Sequence, residues 1–217
     1  MAGRLVSPEG SVVAIDTSPR MLEAARSAAE RAGLHNISFL EMDGEHLQLA
    51  SNSFDAVTNT YGLMFCEEPA CAIAEAHRVL MPDRRLAVVV WDEPEKSPYF
   101  SVITGVAVRQ LALQAPQPGG PGPFRFASAD ALESLLSAAG LSDIQLERAE
   151  VAFECASTDE YCQMFGDLAW KTRMAALSSD ERRHFVDKVD VAARPYLADG
   201  VLRLVATSLC ASGRKAG

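Results

Sequence analysis

What this chain lacks narrows its reading first. None of its 217 residues belongs to a run approaching the roughly 18–20 continuous apolar residues that span a bilayer. The sequence does not open on a charged-then-apolar leader, so a cytoplasmic setting is expected. Its five cysteines, Cys66, Cys71, Cys155, Cys162 and Cys210, form no Cys-x-x-Cys pair and no regular framework. They read as reduced thiols. His35, His46, His77 and His184 stand far apart, and their spacing suggests no metal site. Cations are scarce, 20 Lys and Arg against 29 Asp and Glu, for a formal charge of −9. With no basic cluster, a nucleic-acid partner is not expected. Gly-x-Gly-x-x-Gly and Tyr-x-x-x-Lys are both missing, which weighs against a nicotinamide-dependent oxidoreductase. There are no internal repeats.

What is present describes a globular α/β chain. Apolar residues make up 48% of it, enough for a sizeable core in one domain or one domain with a small appended lobe. Val12, Val13, Ala14 and Ile15 form a short β-branched run, expected as a strand buried on both faces. It ends on Asp16. Ser18 then suits a helix cap, Pro19 the first helical position, and Leu22, Ala25, Ala29 and Ala32 recur at helical spacing until Gly33. A carboxylate at the end of a parallel strand faces the crevice where open α/β sheets bind ligands, and there it can accept from the two hydroxyls of a ribose. Asn36 to Glu41 is a second strand. Asp43 repeats the arrangement of Asp16 just beyond it, beside Gly44, whose backbone a ligand can approach closely.

Further strands are expected at Phe54–Asn59 and Leu86–Trp91, with a helix opened by Pro69 between them and a turn at Pro82–Arg84. Strands separated by helices indicate right-handed βαβ units. From Ser97 the rhythm changes. A helix over Tyr99–Leu113 leads to the Pro/Gly-rich stretch Gln114–Pro123, expected as a surface loop, either linker or lid. A helix from Ser128 or Asp130 to Ala139, a strand over Ile144–Phe153 in an antiparallel setting, and helices over Thr158–Leu177 and Ser179–Tyr196 follow. Gly200–Cys210 reads as the last strand, before a polar tail. His77 on the third helix reads as structural.

Several stretches together resemble the class I S-adenosylmethionine-dependent methyltransferases, most closely the ubiquinone/menaquinone-biosynthesis type (methyltransferase type 11). They are Ser11-Val-Val-Ala-Ile-Asp-Thr-Ser-Pro-Arg-Met-Leu-Glu-Ala-Ala-Arg26, Met42-Asp-Gly-Glu45, Ser53-Phe-Asp-Ala-Val-Thr58, Gly62-Leu-Met-Phe65 and Ala74-Glu-Ala-His-Arg-Val-Leu-Met-Pro82. The likeness covers Arg4 to Trp91, and ordered motifs at proper spacings are more specific than any one alone. It implies a Rossmann-like sheet with helices on both faces, mostly parallel with an antiparallel last strand. It implies S-adenosylmethionine as cofactor, residues 1–96 as the cofactor-binding half and 97–217 as a C-terminal half of the same domain with capping helices. By the same resemblance Asp16, with Thr17 beside it, holds the ribose hydroxyls, Met21 packs on the adenine, Asp43 bonds the adenine amino group, Gly44 offers backbone contacts and Asn59 lines the methionine end. No catalytic base is assigned; His46, Tyr61 and Tyr99 are candidate pocket residues.

One departure is large. The family's first strand and its glycine-rich loop, of the Asp-x-Gly-Cys-Gly-Thr-Gly sort, have no counterpart here, and Met1–Val6 matches only the end of the helix that follows that loop. The expectation is an N-terminally truncated or wrongly started enzyme, with two alternatives: a variant that pairs with a homodimer mate or partner chain to complete the sheet, or a degenerate module without catalysis. In each case the Asp16 strand should lack a neighbour on one side, leaving a gap or a sheet that closes over it.

Overall fold

The structure, a computed structural model, describes residues 2–111, 119–168 and 174–217. It opens with a short helix α1 (Ala2–Val6), followed by β1 (Val12–Asp16), α2 (Pro19–Arg31) and β2 (Ile37–Glu41). The α2 helix starts where its sequence says. The Ser18 hydroxyl accepts from the Met21 N–H, and Pro19 occupies the first turn, where a missing N–H costs nothing. Leu22 and Ala29, seven residues apart, are its buried face. β1 and β2 pair in parallel from Val12–Ile37 to Asp16–Glu41, so both carboxyl ends point the same way. Asn36 fastens α1 to this unit by donating to the Gly3 and Gly10 carbonyls.

A larger sheet holds β3 (Phe54–Thr60), β4 (Leu80–Trp91), β7 (Val201–Lys215) and β5 (Leu141–Cys155), in that spatial order. β3 and β4 are parallel and joined by α3 (Pro69–Val79). β7 is antiparallel to β4, and β5 is antiparallel to β7, so β5 runs with β3 and β4 and β7 alone is reversed. Two-residue β6 (Leu197–Ala198) folds back on β7. Asp199 and Gly200 both have positive φ there (52° and 77°), as a two-residue primed turn requires. The Asp-Gly pair is a turn signal, and the last strand therefore begins at Val201, not at Gly200.

Hydrophobic packing covers both faces of this sheet. Leu86, Val88 and Val90 of β4 and Leu209 and Ala211 of β7 pack with Ile73 of α3 and Leu132 and Leu136 of α5 (Ala129–Ala138). Leu202, Leu204 and Ala206 of β7 pack with α4 (Pro98–Leu111), α6 (Thr158–Leu168) and α7 (Ser179–Ala193) through Ile103, Tyr161, Phe185 and Val189. The switch from even to odd positions along β7 is the strand alternation that sends neighbours to opposite faces. α7 begins with a capping box in which the Ser178 hydroxyl and the Glu181 carboxylate exchange bonds with each other's N–H.

Three expectations need correction. β1 is not buried on both faces: all five of its residues are only half-buried. It pairs with β2 alone, and neither core cluster includes a residue before Val57. Among the described residues no ladder hydrogen bond joins β1–β2 to the larger sheet, so the gap expected beside the Asp16 strand is present. Second, β7 continues to Lys215 instead of giving way to a polar tail. The Lys215 ammonium donates to the His77 and Leu80 carbonyls at the end of α3 and to Asn52 Oδ1, the placement a helix C-terminus favours for a cation. Third, β4 starts at Leu80, and the expected turn at Pro82–Arg84 is a bulge within it: three extra residues lie between the Phe54–Leu80 and Ala56–Arg85 pairs, with Asp83 at φ 62°. Residues 112–113 and 169–173 of the expected helices, and the stretch 114–118 of the Pro/Gly loop, lie outside the described residues.

Candidate functional site

The parallel pairing of β1 and β2 brings the two predicted carboxylates to one end of one small sheet. Each is held by its own turn. Asp16 Oδ1 accepts from the Ser18 N–H at 2.7 Å, and Asp43 Oδ1 accepts from the Glu45 N–H at 2.9 Å. Such Asx turns fix the side chain and use one oxygen of each carboxylate. The Met42 N–H donates to the Asp16 carbonyl, carrying the strand pairing one residue further and keeping the 43–46 turn beside β1. At this end Thr17, Glu41, Met42, Asp43, His46 and Gln48 line a cavity of about 300 Å3, the lower end of the range for small-molecule sites. Met21, in the first turn of α2, is 60% exposed. A Cβ added at Gly44 would meet no protein atom within 4 Å, so its backbone lies open to a ligand.

The chemistry of this end is that of an acceptor. Glu41 and Asp43 flank the cavity, and Asp16 precedes Thr17 in its wall. Carboxylates bind hydroxyl, amino and cationic groups well and repel phosphate. The arrangement therefore fits an uncharged nucleoside, or one bearing positive charge, better than a pyrophosphate. His46 is the one of the three candidate pocket residues that lines this cavity. Tyr99 is 4% exposed and packs in the core against Phe153, and its carbonyl accepts from the Tyr161 hydroxyl. It is a core residue.

Asn59 and Tyr61 belong to the other sheet, at the carboxyl end of β3. Asn59 Oδ1 accepts from the Gly62 and Leu63 N–H groups at 3.2 and 2.8 Å, so it shapes the β3–α3 loop and does not line the 300 Å3 cavity. Tyr61 has φ 57°, a conformation costing a bulky residue about 1–3 kcal/mol. Three contacts hold it there. Its N–H donates to the Val89 carbonyl, its ring stacks on Trp91 at 4.1 Å, and its hydroxyl lies 2.7 Å from Ser208 Oγ. Phe100 meets Trp91 edge-on. This aromatic cover at the ends of β3 and β4 is a tertiary feature, drawn from segments far apart in sequence.

Asp92 was missed, although it obeys the rule that singled out Asp16 and Asp43, a carboxylate directly after an apolar strand. Its position gives it a different task. It is 0% exposed and accepts from Arg148 Nε at 2.7 Å and the Glu93 N–H at 2.9 Å, with Lys96 Nζ at 3.4 Å. Burial alone would raise this carboxyl; the Glu93 N–H, Arg148 and Lys96 outweigh it and hold it below the usual carboxylate range. Below that range the native state binds fewer protons than the unfolded chain, so the stabilisation is complete above about pH 4 and is lost as pH falls through the lowered native value. Asp92→Ala should cost about 1–3 kcal/mol at pH 7, discounted because Arg148 is half-exposed. In urea unfolding its deficit should shrink toward pH 3, and a deficit equal at both pH values would rule the ion pair out as its source.

A methyltransferase domain model matches residues 2–88, the span from α1 into β4. Residues 2–88 are thus similar to a methyltransferase domain. A demethylmenaquinone methyltransferase of Thermus thermophilus is 34% identical over 145 residues, 63% of this chain and 66% of that enzyme. A ubiquinone/menaquinone biosynthesis C-methyltransferase of Teredinibacter turnerae is 34% identical over 95 residues, 43% of this chain and 38% of that enzyme. The matched stretches thus span between about two fifths and two thirds of these relatives. Among solved structures, the YcgJ protein of Bacillus subtilis superposes with a TM-score of 0.61 at 18% identity, over 95% of this chain and 83% of that one. The likeness in fold thus extends past residue 88, over the part of the chain that the domain model does not reach.

Proposed function

We propose that this chain is an S-adenosylmethionine-dependent methyltransferase acting on a small molecule. The observation that carries the reading is the pair of turn-held carboxylates, Asp16 and Asp43, at the carboxyl ends of adjacent parallel strands in a methyltransferase domain. Asp16, with Thr17, accepts from the ribose hydroxyls. Asp43 accepts from the adenine amino group, Met21 packs on the ring, and the open backbone of Gly44 lies against it. When bound, the cofactor supplies a methyl group on an electrophilic sulfonium. The chain's part is to hold donor and acceptor in line and near contact, and to keep water away.

In this reading residues 1–96 are the cofactor half and residues 97–217 the acceptor side, reached past Asn59 and the Tyr61–Trp91–Phe100 cover. The Thermus relative, named for demethylmenaquinone, and the Teredinibacter relative, named for ubiquinone/menaquinone biosynthesis, support an acceptor of that class. The protein works in the cytoplasm. Open edges on β1 and β3 favour a homodimer mate or partner chain that completes the sheet. A second reading rests on the same split: a half-buried β1 with one neighbour suits a degenerate module that neither binds cofactor nor catalyses.

Calorimetric titration with S-adenosylmethionine and, separately, with NAD tests these readings. Heat with the first alone is expected. Silence from both would favour the degenerate module, and heat with NAD would overturn the methyltransferase reading.

A further inference from the structure

We infer that Arg78 and Glu45 form a two-point clasp that sets the position of Asp43, and so act as positioning residues for the proposed cofactor site. The inference rests on the reading of Asp43 given above. It starts from the split sheet. β1 and β2 make no ladder bonds to β3, so strand pairing does not place Asp43 relative to the rest of the protein. The segment after β2 takes over that task by attaching to α3, whose Ala72, Ile73, Ala76 and Val79 are buried.

At the N-terminal end of α3 the Glu45 carboxylate accepts from the Glu67 and Glu68 N–H groups at 2.8 and 3.0 Å. At the C-terminal end the Arg78 guanidinium forms a fork on Glu75, at 2.7 and 2.8 Å, and donates to the Leu49 and Leu47 carbonyls at 2.8 and 2.9 Å and to Ser51 Oγ at 3.1 Å. Glu75 in turn accepts from the Leu47 N–H. The anion lies at the positive end of α3 and the cation at its negative end, as the helix dipole favours. An 11-residue helix separates the two attachments by roughly 16 Å. Attachment at two separated points resists rotation of the 43–51 segment, which one point would allow. Glu45 lies two residues beyond Asp43, and its N–H is the donor that fixes the Asp43 side chain.

The test combines amide hydrogen exchange with S-adenosylhomocysteine calorimetry on the full chain, Arg78→Met, Asp43→Ala and the double variant. Exchange in residues 42–50 should quicken at least about tenfold in Arg78→Met while β4 and β7 keep their protection. Each single variant should weaken binding by about tenfold, and the double by no more than Asp43→Ala alone, because a clasp that acts through Asp43 has nothing left to position. A merely structural Arg78 would give additive losses, about a hundredfold in the double, and this result or unchanged exchange would overturn the proposal. If the unaltered chain binds no S-adenosylhomocysteine, the cofactor reading fails and the exchange measurement alone decides the clasp. If Arg78→Met does not fold, Glu45→Gln enters the same cycle from the other end of α3.

Discussion

Phe185→Ala should remove about 3–5 kcal/mol of stability, the usual range for truncating a buried aromatic. Phe185 is 1% exposed, and with Val189 and Ala193 it forms the buried stripe of α7. Its neighbours in that core, Tyr161, Leu202 and Leu204, come from α6 and β7 and are themselves fully buried, so little can move to fill the space. Domains of this kind hold only about 5–15 kcal/mol in total, which makes the variant marginal. Urea unfolding followed by circular dichroism measures the loss. Phe185→Leu, nearer in volume, should cost clearly less. A cost below about 1 kcal/mol for the alanine variant would show that α7 does not pack here as described.

Asp16→Ala should weaken S-adenosylmethionine by about 10–100-fold, from a loss of about 1.5–3 kcal/mol for hydrogen bonds to a charged group. Two substitutions separate binding from folding. Asp16→Asn keeps an oxygen for the Ser18 N–H, which Asp16 now holds at 2.7 Å, and loses the charge and the second acceptor oxygen. Asp16→Ala loses all of these. If the carboxylate clamps the ribose, both variants bind weakly while the asparagine variant keeps its unfolding midpoint. Equal affinity in all three proteins would remove Asp16 from the site. The β1–β2 ladder consists of backbone bonds and survives either change.

Much of the architecture was legible because it depends on near neighbours in the chain. Ser18 and Pro19 start α2, Ser128 and Gly140 bracket α5, and the apolar runs at Val12–Ile15 and Leu86–Trp91 are strands. The rule of a carboxylate after a strand located Asp16 and Asp43 beside one cavity. The same rule applied to Asp92 finds a buried ion pair, because Arg148 comes from β5, 56 residues away. Nothing local distinguishes these fates. Asn59 is likewise at a strand end, yet its Oδ1 is turned back onto its own loop.

Amphipathic periods, caps and turn residues are local properties, and they settled the strand–helix alternation, the α/β class and the placing of two carboxylates just beyond strand ends. Burial, pairing and long-range bonds are properties of the assembled chain. They decided that β1 and β2 stand apart from the larger sheet, that Tyr99 is core while His46 faces the cavity, and that Tyr61 is held at positive φ by Trp91 and Ser208. They also joined Arg78 to the backbone of residues 47–49. The physical reason is separation along the chain. A helix cap lies within three residues of its partner, whereas Ser208 lies 147 residues from Tyr61, and only the folded packing of β3, β4 and β7 brings them within hydrogen-bonding distance.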